Sequence, residues 1–432
     1  MRGPTLRGPR RLALLALVSS FACGQDTGTA PQPPRAEAQE RRASSAPVAA
    51  PLVRVGLEVL DDQRGAPLTG RKVGLLSHGA SVTSDGRYAI DVLRPLGIEV
   101  VRLFAPEHGV RGQYAAGEKF KSGADNRSGL PVVSLYGQKT KPTAEDLAGL
   151  DALVIDLQDA GVRFYTYAST MMLALDAAAR AGVEVVVLDR PNPLGGERVE
   201  GPVSDGSSPV SLVNMAPGPL VHGLTIGELA QLVNSRQEKP ARLTVVPMKG
   251  WKRAMHWVDT RLVWTPPSPN LRTADAAVVY PGTALLEATN VSEGRGTDTP
   301  FLVFGAPWLK PDPLLPETPA AGLTLEATTF TPVSSAAAPT PKYNSQPCAG
   351  LRVTVKEPGQ VAPYKLGVGL LAALRKQPEF EWRDGGAALD RLVGTAKLRA
   401  ALEKGEAVDV IVASDLPAIE AWRSERQKFL IY

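Results

Sequence analysis

The chain has 432 residues, 44% hydrophobic and 21% charged, an ordinary globular composition with room for one to three domains. Its 48 Lys and Arg stand against 44 Asp and Glu. Arg2, Arg7, Arg10 and Arg11 account for that whole excess, so charge makes no case for nucleic-acid binding. The two cysteines, Cys23 and Cys348, provide neither a disulfide framework nor a cysteine zinc site.

The basic start leads into an apolar run, Leu12 to Val18, and then small residues up to Cys23. This reads as a signal peptide over residues 1–23. The run is too short to span a bilayer. Cys23 falls where a bacterial lipoprotein signal places its lipidated cysteine, although Ser20-Phe21-Ala22 is an imperfect approach to it. The expected address is the exported side: a periplasmic or outer-envelope lipoprotein, otherwise a secreted protein. A lipid on Cys23 would be its one route to a membrane. Residues 24–52, rich in Pro, Ala, Gln and Ser, have the composition of a disordered linker.

From residue 53 the texture alternates. Strands are predicted at 53–60, 71–77, 98–104, 131–136, 151–157, 183–188 and 243–247. Several are runs of Val, Ile and Leu without alternation, as in strands buried on both faces. Helices are predicted at 85–95, 143–149, 168–181 and 225–236, the last opening with the capping box Thr225-Ile-Gly-Glu228. This order predicts a doubly wound, mostly parallel α/β domain over residues 53–281. Beyond it, Pro, Ala and Thr crowd residues 311–347, which predicts a long irregular excursion. A strand at 351–355, helices at 363–376, 395–403 and 415–426, and an apolar run at 408–412 then suggest a smaller α+β domain over 282–432.

Four polar clusters follow predicted strands: Ser77-His78, Glu107-His108, Asp156 to Tyr167, and Asp189 to Asn192. Ligands of such sheets bind outside the carboxyl ends of the strands, so the clusters predict one site. A carboxyl at Glu107, partly desolvated, suits a general acid, or it braces its loop. Asp156 and Asp159 suit a base or substrate-orienting acids, and Asp159 alternatively caps a turn. Arg163 offers a fork for a carboxylate, or pairs internally with Asp156 or Asp159. Tyr165 and Tyr167 suit stacking on sugar faces. Asn192 is held between two prolines. Asn270, Glu293 and Arg295 sit on rigid or Gly-rich loops; the last two reach a ligand or pair with each other. No dinucleotide, P-loop, nucleophile-elbow or zinc-protease motif occurs. The mixed set His78, His108 and Asp156 lacks metal-ligand spacing, so neither a metal nor a nucleotide cofactor is expected.

The chain resembles the NamZ-like exo-β-N-acetylmuramidases, formerly a family of unknown function. Carrying the resemblance are Pro106-Glu-His-Gly109, Gly117-Glu118, Leu135-Tyr-Gly137, Asp156 to Tyr167, Asp189 to Gly196, Ser268-Pro-Asn270 and Glu293-Gly-Arg-Gly-Thr297. It runs from about residue 53 to the end, through Lys342-Tyr343, Cys348 and the closing Lys428-Phe-Leu-Ile-Tyr432. Ser77-His78-Gly79 departs from an Asn/Thr-rich turn in relatives, which leaves His78 without an implied role. The resemblance implies a Rossmann-like first domain, a smaller second one and a cleft between them. It implies release of terminal N-acetylmuramic acid from non-reducing ends of peptidoglycan fragments, in wall recycling or degradation. Glu107, beside His108, becomes the catalytic glutamate, with Asp156 to Tyr167 lining its pocket. The sugar's lactyl carboxylate then suits Arg163 or Arg295, and its N-acetyl group suits Asn192, Asn270 or Tyr167. The second carboxyl is Asp156, Asp159 or Glu293, or else the substrate's own N-acetyl oxygen attacks. A metal-dependent amidase or deacetylase and a non-catalytic muropeptide-binding lipoprotein are the competing readings.

Overall fold

The computed structural model describes residues 50–432. The expected signal peptide, Cys23 and nearly all of the expected linker lie outside the described residues. The first element is a helix, α1 (Gly56–Asp62), where a strand is predicted. A short apolar run does not by itself distinguish a buried helix from a strand. Glu58 favours the helix: its carboxylate accepts the Val55 N–H at 3.0 Å, closing the first turn.

Nine strands follow in the first region: β1 (Lys72–Ser77), β2 (Glu99–Ala105), β3 (Gly123–Ala124), β4 (Pro131–Ser134), β5 (Ala152–Asp156), β6 (Glu184–Leu188), β7 (Glu200–Val203), β8 (Pro219–Val221) and β9 (Leu243–Val246). Seven form one sheet in the order β3-β4-β2-β1-β5-β6-β9. Only the β3–β4 pairing is antiparallel. The six parallel strands therefore run third, second, first, fourth, fifth, sixth, which is the Rossmann order. Every residue of β5 is buried, because helices cover both faces, and this is why its sequence shows no alternation. Helices α1, α2 (Ala89–Leu93), α4 (Thr166–Ala181) and α5 (Ile226–Ser235) pack on the sheet's strands, and α3 (Ala144–Leu147), α6 (Trp257–Thr260) and α7 (Ala274–Thr283) complete the region. The predicted box opens α5: Thr225 Oγ1 accepts the Glu228 N–H at 3.2 Å, and Glu228 Oε2 accepts the Thr225 N–H at 3.0 Å.

The C-terminal region has a three-stranded antiparallel sheet of β10 (Val303–Ala306), β11 (Leu323–Phe330) and β12 (Cys348–Val355), with β12 in the middle. Its helices are α8 (Pro363–Leu374), α9 (Ala387–Val393), α10 (Lys397–Lys404), α11 (Val408–Ser414) and α12 (Leu416–Arg426). The irregular excursion expected at 311–347 is broken by β11, which pairs with β12 from Leu323↔Val355 to Phe330↔Cys348. Its Thr-rich sequence is good strand material, and flanking Pro and Ala hide it. Helices α7 and α8 touch backbone to backbone at Gly282 and Gly367: a Cβ on Gly282 would lie 2.1 Å from the Pro363 carbonyl oxygen. One buried apolar cluster runs from Ile155 and Tyr167 through Val279 to Leu370 and Trp422. The C-terminal region thus shares its core with the Rossmann-type sheet.

The chain end is tied into the sheet's carboxyl edge. The Tyr432 hydroxyl donates to Asp189 Oδ2 at 2.7 Å and accepts the Met248 N–H at 2.8 Å. Asp189 is fully buried, which pushes its carboxyl up to about 6 from the ordinary 3.8. The folded protein holds that proton more tightly than the unfolded chain does. The stability it contributes is complete below about pH 4 and is lost as pH rises through about 6. Asp189→Asn should therefore cost less stability at pH 7 than at pH 4 in urea unfolding. Equal costs would show that this carboxyl does not titrate in that window.

Candidate active site

The Rossmann crevice lies where the strand order reverses, between β1 and β5. Here side chains fill it. Asp156 at the end of β5 is fully buried and receives Arg190 at 2.5 and 2.9 Å. His78 Nε2 accepts the Gln158 N–H at 2.9 Å. The main cavity, about 420 Å³, is displaced toward β2 and β4. Glu107 and His108 after β2, Tyr136 after β4, and Tyr165 and Thr166 at the start of α4 form one wall. Tyr280, Glu287, Glu293, Arg295, Lys342 and Arg383 close it from the C-terminal side.

Glu107 is 9% exposed. Its Oε1 accepts the Gly117 N–H at 2.7 Å and its Oε2 meets the Thr166 hydroxyl at 2.8 Å. A backbone N–H only donates, whereas a hydroxyl both donates and accepts. The carboxyl is therefore satisfied whether ionised or protonated. The loop that carries it is braced by the buried Tyr167 hydroxyl, 3.1 Å from the Glu107 carbonyl and 2.9 Å from that of Pro267. His108 adopts φ 71°, and Gly109 follows at φ 77°. A Cβ on Gly109 would sit 2.8 Å from the Tyr114 ring, so the turn requires glycine there. His108 Nδ1 lies 3.0 Å from the Tyr114 carbonyl. Burial lowers the His108 pKa, against an opposing pull from Glu107. Burial and the neighbouring Glu107 carboxylate both raise that of the Tyr136 phenol.

The opposite wall is a four-charge cluster. Arg295 pairs with Glu287 at 2.8 Å and with Glu293 at 3.2 Å. Lys342 Nζ lies 3.1 Å from Glu293 and donates to the carbonyls of Leu286 at 2.9 Å and Val291 at 2.8 Å. Burial pushes the Glu293 carboxyl up, but Lys342 and Arg295 outweigh it and hold its pKa below the ordinary value. Glu293 is thereby kept an anion in a buried setting.

Five sequence candidates line this cavity: Glu107, His108, Tyr165, Glu293 and Arg295. Six do not. Asp156 is committed to Arg190, as above. Asp159 accepts the Gly161 N–H at 2.8 Å and faces His222 Nε2 at 3.3 Å. Arg163 is no carboxylate clamp and pairs with neither Asp156 nor Asp159. Fully buried, it donates to the carbonyls of Pro202 at 2.8 Å, Gly218 at 2.7 Å and Val393, tying α9 to the first region. Tyr167 serves the Glu107 loop. Asn192 spends its amide on the Leu224 carbonyl and the Leu194 N–H, both at 2.9 Å. Asn270 donates to the Ala337 carbonyl at 2.7 Å and so holds part of the cavity wall. The structure adds Tyr136, Thr166, Tyr280, Glu287, Lys342 and Arg383. Tyr136, Thr166 and Lys342 sit inside motifs that carry the family resemblance and were findable there. Tyr280, Glu287 and Arg383 lie in unremarkable helix and turn sequence and carry no such signal.

Acidic, imidazole and tyrosine side chains around one cavity at the carboxyl edge of a Rossmann-type sheet are the arrangement of an α/β enzyme site. Comparison with known proteins agrees in detail. The N-terminal model of the exo-β-N-acetylmuramidase NamZ family matches residues 73–275, and its C-terminal model matches residues 278–432. A peptidoglycan β-N-acetylmuramidase NamZ from Bacillus subtilis strain 168 is 40% identical over 388 residues, 88% of this chain and 92% of that protein. Two crystal structures of DUF1343 family proteins from Bacteroides fragilis superpose with TM-scores of 0.78 and 0.71 at 32% and 30% identity. They match 89% and 88% of this chain, and 100% and 99% of their own. The chain belongs to the NamZ exo-β-N-acetylmuramidase family.

Proposed function

We propose that this protein is a glycosidase that releases terminal N-acetylmuramic acid from the non-reducing ends of peptidoglycan fragments, with Glu107 as its general acid. Family membership and the peptidoglycan-cleaving relative support the reaction. The observation that carries the role of Glu107 is its pair of hydrogen bonds, one from a fixed N–H and one to a reversible hydroxyl, at the wall of the cavity. A carboxyl that delivers a proton to the leaving oxygen must be stable in both states.

The second carboxylate is Glu293. Asp156 and Asp159 face other partners, whereas Glu293 lines the cavity and is held ionised by Lys342 and Arg295. It is the cavity carboxylate available for the second role that glycoside hydrolysis assigns to a carboxyl group. Tyr165 and Tyr280 supply aromatic surface for the ring.

Purified protein given aryl β-N-acetylmuramide and the matching β-N-acetylglucosaminide should cleave the muramide only. Fragments with muramic acid at the non-reducing end should lose it as the free sugar. Failure on both aryl substrates and on fragments would sink the glycosidase reading. The basic and apolar start ending at Cys23 supports export to the envelope, where such fragments arise. The same assay on envelope, medium and cytosol fractions tests that address, and activity confined to the cytosol would refute it.

A further inference from the structure

Resting on that reading, the question is how the cavity tells muramic acid from the N-acetylglucosamine it is built on. The two differ by a lactyl ether that ends in a carboxylate. Taking that group out of water requires a cation with free donors. Three cations line the cavity: Arg295, Lys342 and Arg383.

Two of them are already paired with carboxylates of the wall. Lys342 donates to the carbonyls of Leu286 and Val291 and lies 3.1 Å from Glu293 Oε2 as an ion pair. Arg295 turns Nη2 to Glu287 and Nε to Glu293; its Nη1 has no partner but is buried away from the cavity's solvent, and its guanidinium lies 5.1 Å from the centre of the Phe301 ring. Two glutamates and two cations leave this cluster with no net charge.

Arg383 differs. Among the described residues its nearest carboxylate is that of the adjoining Asp384, 3.9 Å from Nε, and Asp384 is itself engaged by Arg391 at 3.0 Å. The side chain is half-exposed at the cavity, yet its backbone is firmly placed. Asn290 accepts the Glu381 N–H at 3.0 Å, donates its N–H to the Glu381 carbonyl at 3.0 Å and donates its amide to the Glu379 carbonyl at 2.7 Å. Trp382 bridges Thr289. These links fasten the segment before Arg383 to the strip between Glu287 and Glu293. After it, Asp384, Gly385 and Gly386 turn the chain away with φ of 53°, 59° and 95°. A fixed backbone presenting an uncommitted guanidinium to an otherwise balanced cavity is the arrangement a carboxylate-bearing ligand requires.

We propose that Arg383 is the specificity-determining residue, pairing its guanidinium with the lactyl carboxylate of the bound muramyl sugar. This replaces Arg163 and Arg295, the partners expected from sequence.

The test uses the full chain, Arg383→Gln and Arg383→Lys on two substrates: an aryl β-N-acetylmuramide with a free lactyl carboxylate and its lactyl methyl ester. On the free acid, Arg383→Gln should lose about 10- to 100-fold in kcat/KM, mostly through KM, as expected for one charged hydrogen-bonded pair. Arg383→Lys should recover part of that loss. On the ester, parent and variants should agree within about twofold, since no ion pair forms there. Equal losses on both substrates would mean a structural role and overturn the assignment, as would an unchanged rate on the free acid. No cleavage of either substrate by the parent would overturn the glycosidase reading itself, and this assignment with it.

Discussion

Glu107→Gln should lower turnover of a muramyl disaccharide by about 10³-fold and leave stability unchanged. The amide is isosteric: its oxygen keeps the Gly117 N–H and its NH₂ donates to the Thr166 hydroxyl, so neither bond of the parent is lost. What disappears is the proton for the leaving oxygen. That loss depends on the leaving group. A sugar hydroxyl departs poorly without protonation, whereas a nitrophenolate needs little help. The variant should therefore retain far more activity on a nitrophenyl muramide than on the disaccharide. Rates measured on both substrates decide the role. A loss of equal size on both would make Glu107 a base or nucleophile instead. No loss on either would remove Glu107 from the reaction.

The second large effect concerns Asp156, which sequence reasoning placed with the catalytic acids. Its carboxylate is fully buried and bonded twice to the buried Arg190, whose Nη1 also donates to the Val82 carbonyl at 3.0 Å. Removing one partner of a desolvated pair strands the other charge, at a cost of about 3–5 kcal/mol. Asp156→Asn should accordingly lose about that much in urea unfolding while each folded molecule keeps its activity within about threefold. Such a variant would still bind substrate, because the cavity lies on the β2 and β4 side. The opposite result, full stability with no activity, would return Asp156 to the reaction. The two substitutions thus separate chemistry from architecture: one is expected to be inactive and stable, the other active and unstable.

Much of the site was legible one segment at a time. The Glu107-His108 pair announced itself by its place after an apolar run, and β2 does end at Ala105, two residues before the glutamate. The tight turn is suggested locally by Gly109 and Gly112, since glycine takes positive φ without steric cost. The capping box of α5 likewise needs only four adjacent residues. Asp156 and Arg163 looked as reactive as Glu107 for the same local reason, being charged residues near a strand exit. Their difference lies in partners distant in sequence: Arg190 for one, the carbonyls of Pro202, Gly218 and Val393 for the other.

Sequence by itself determined the doubly wound sheet, because burial on both faces demands uninterrupted apolar strands, and it determined which strand exits carry polar chemistry. Only the tertiary structure decided which exit opens into a cavity. That depends on side chains filling the crevice between β1 and β5, and on distant segments bringing Tyr280, Lys342 and Arg383 against Glu107. Charge–charge commitments made across such separations set which carboxylates and cations remain free, and free groups are what a substrate can use.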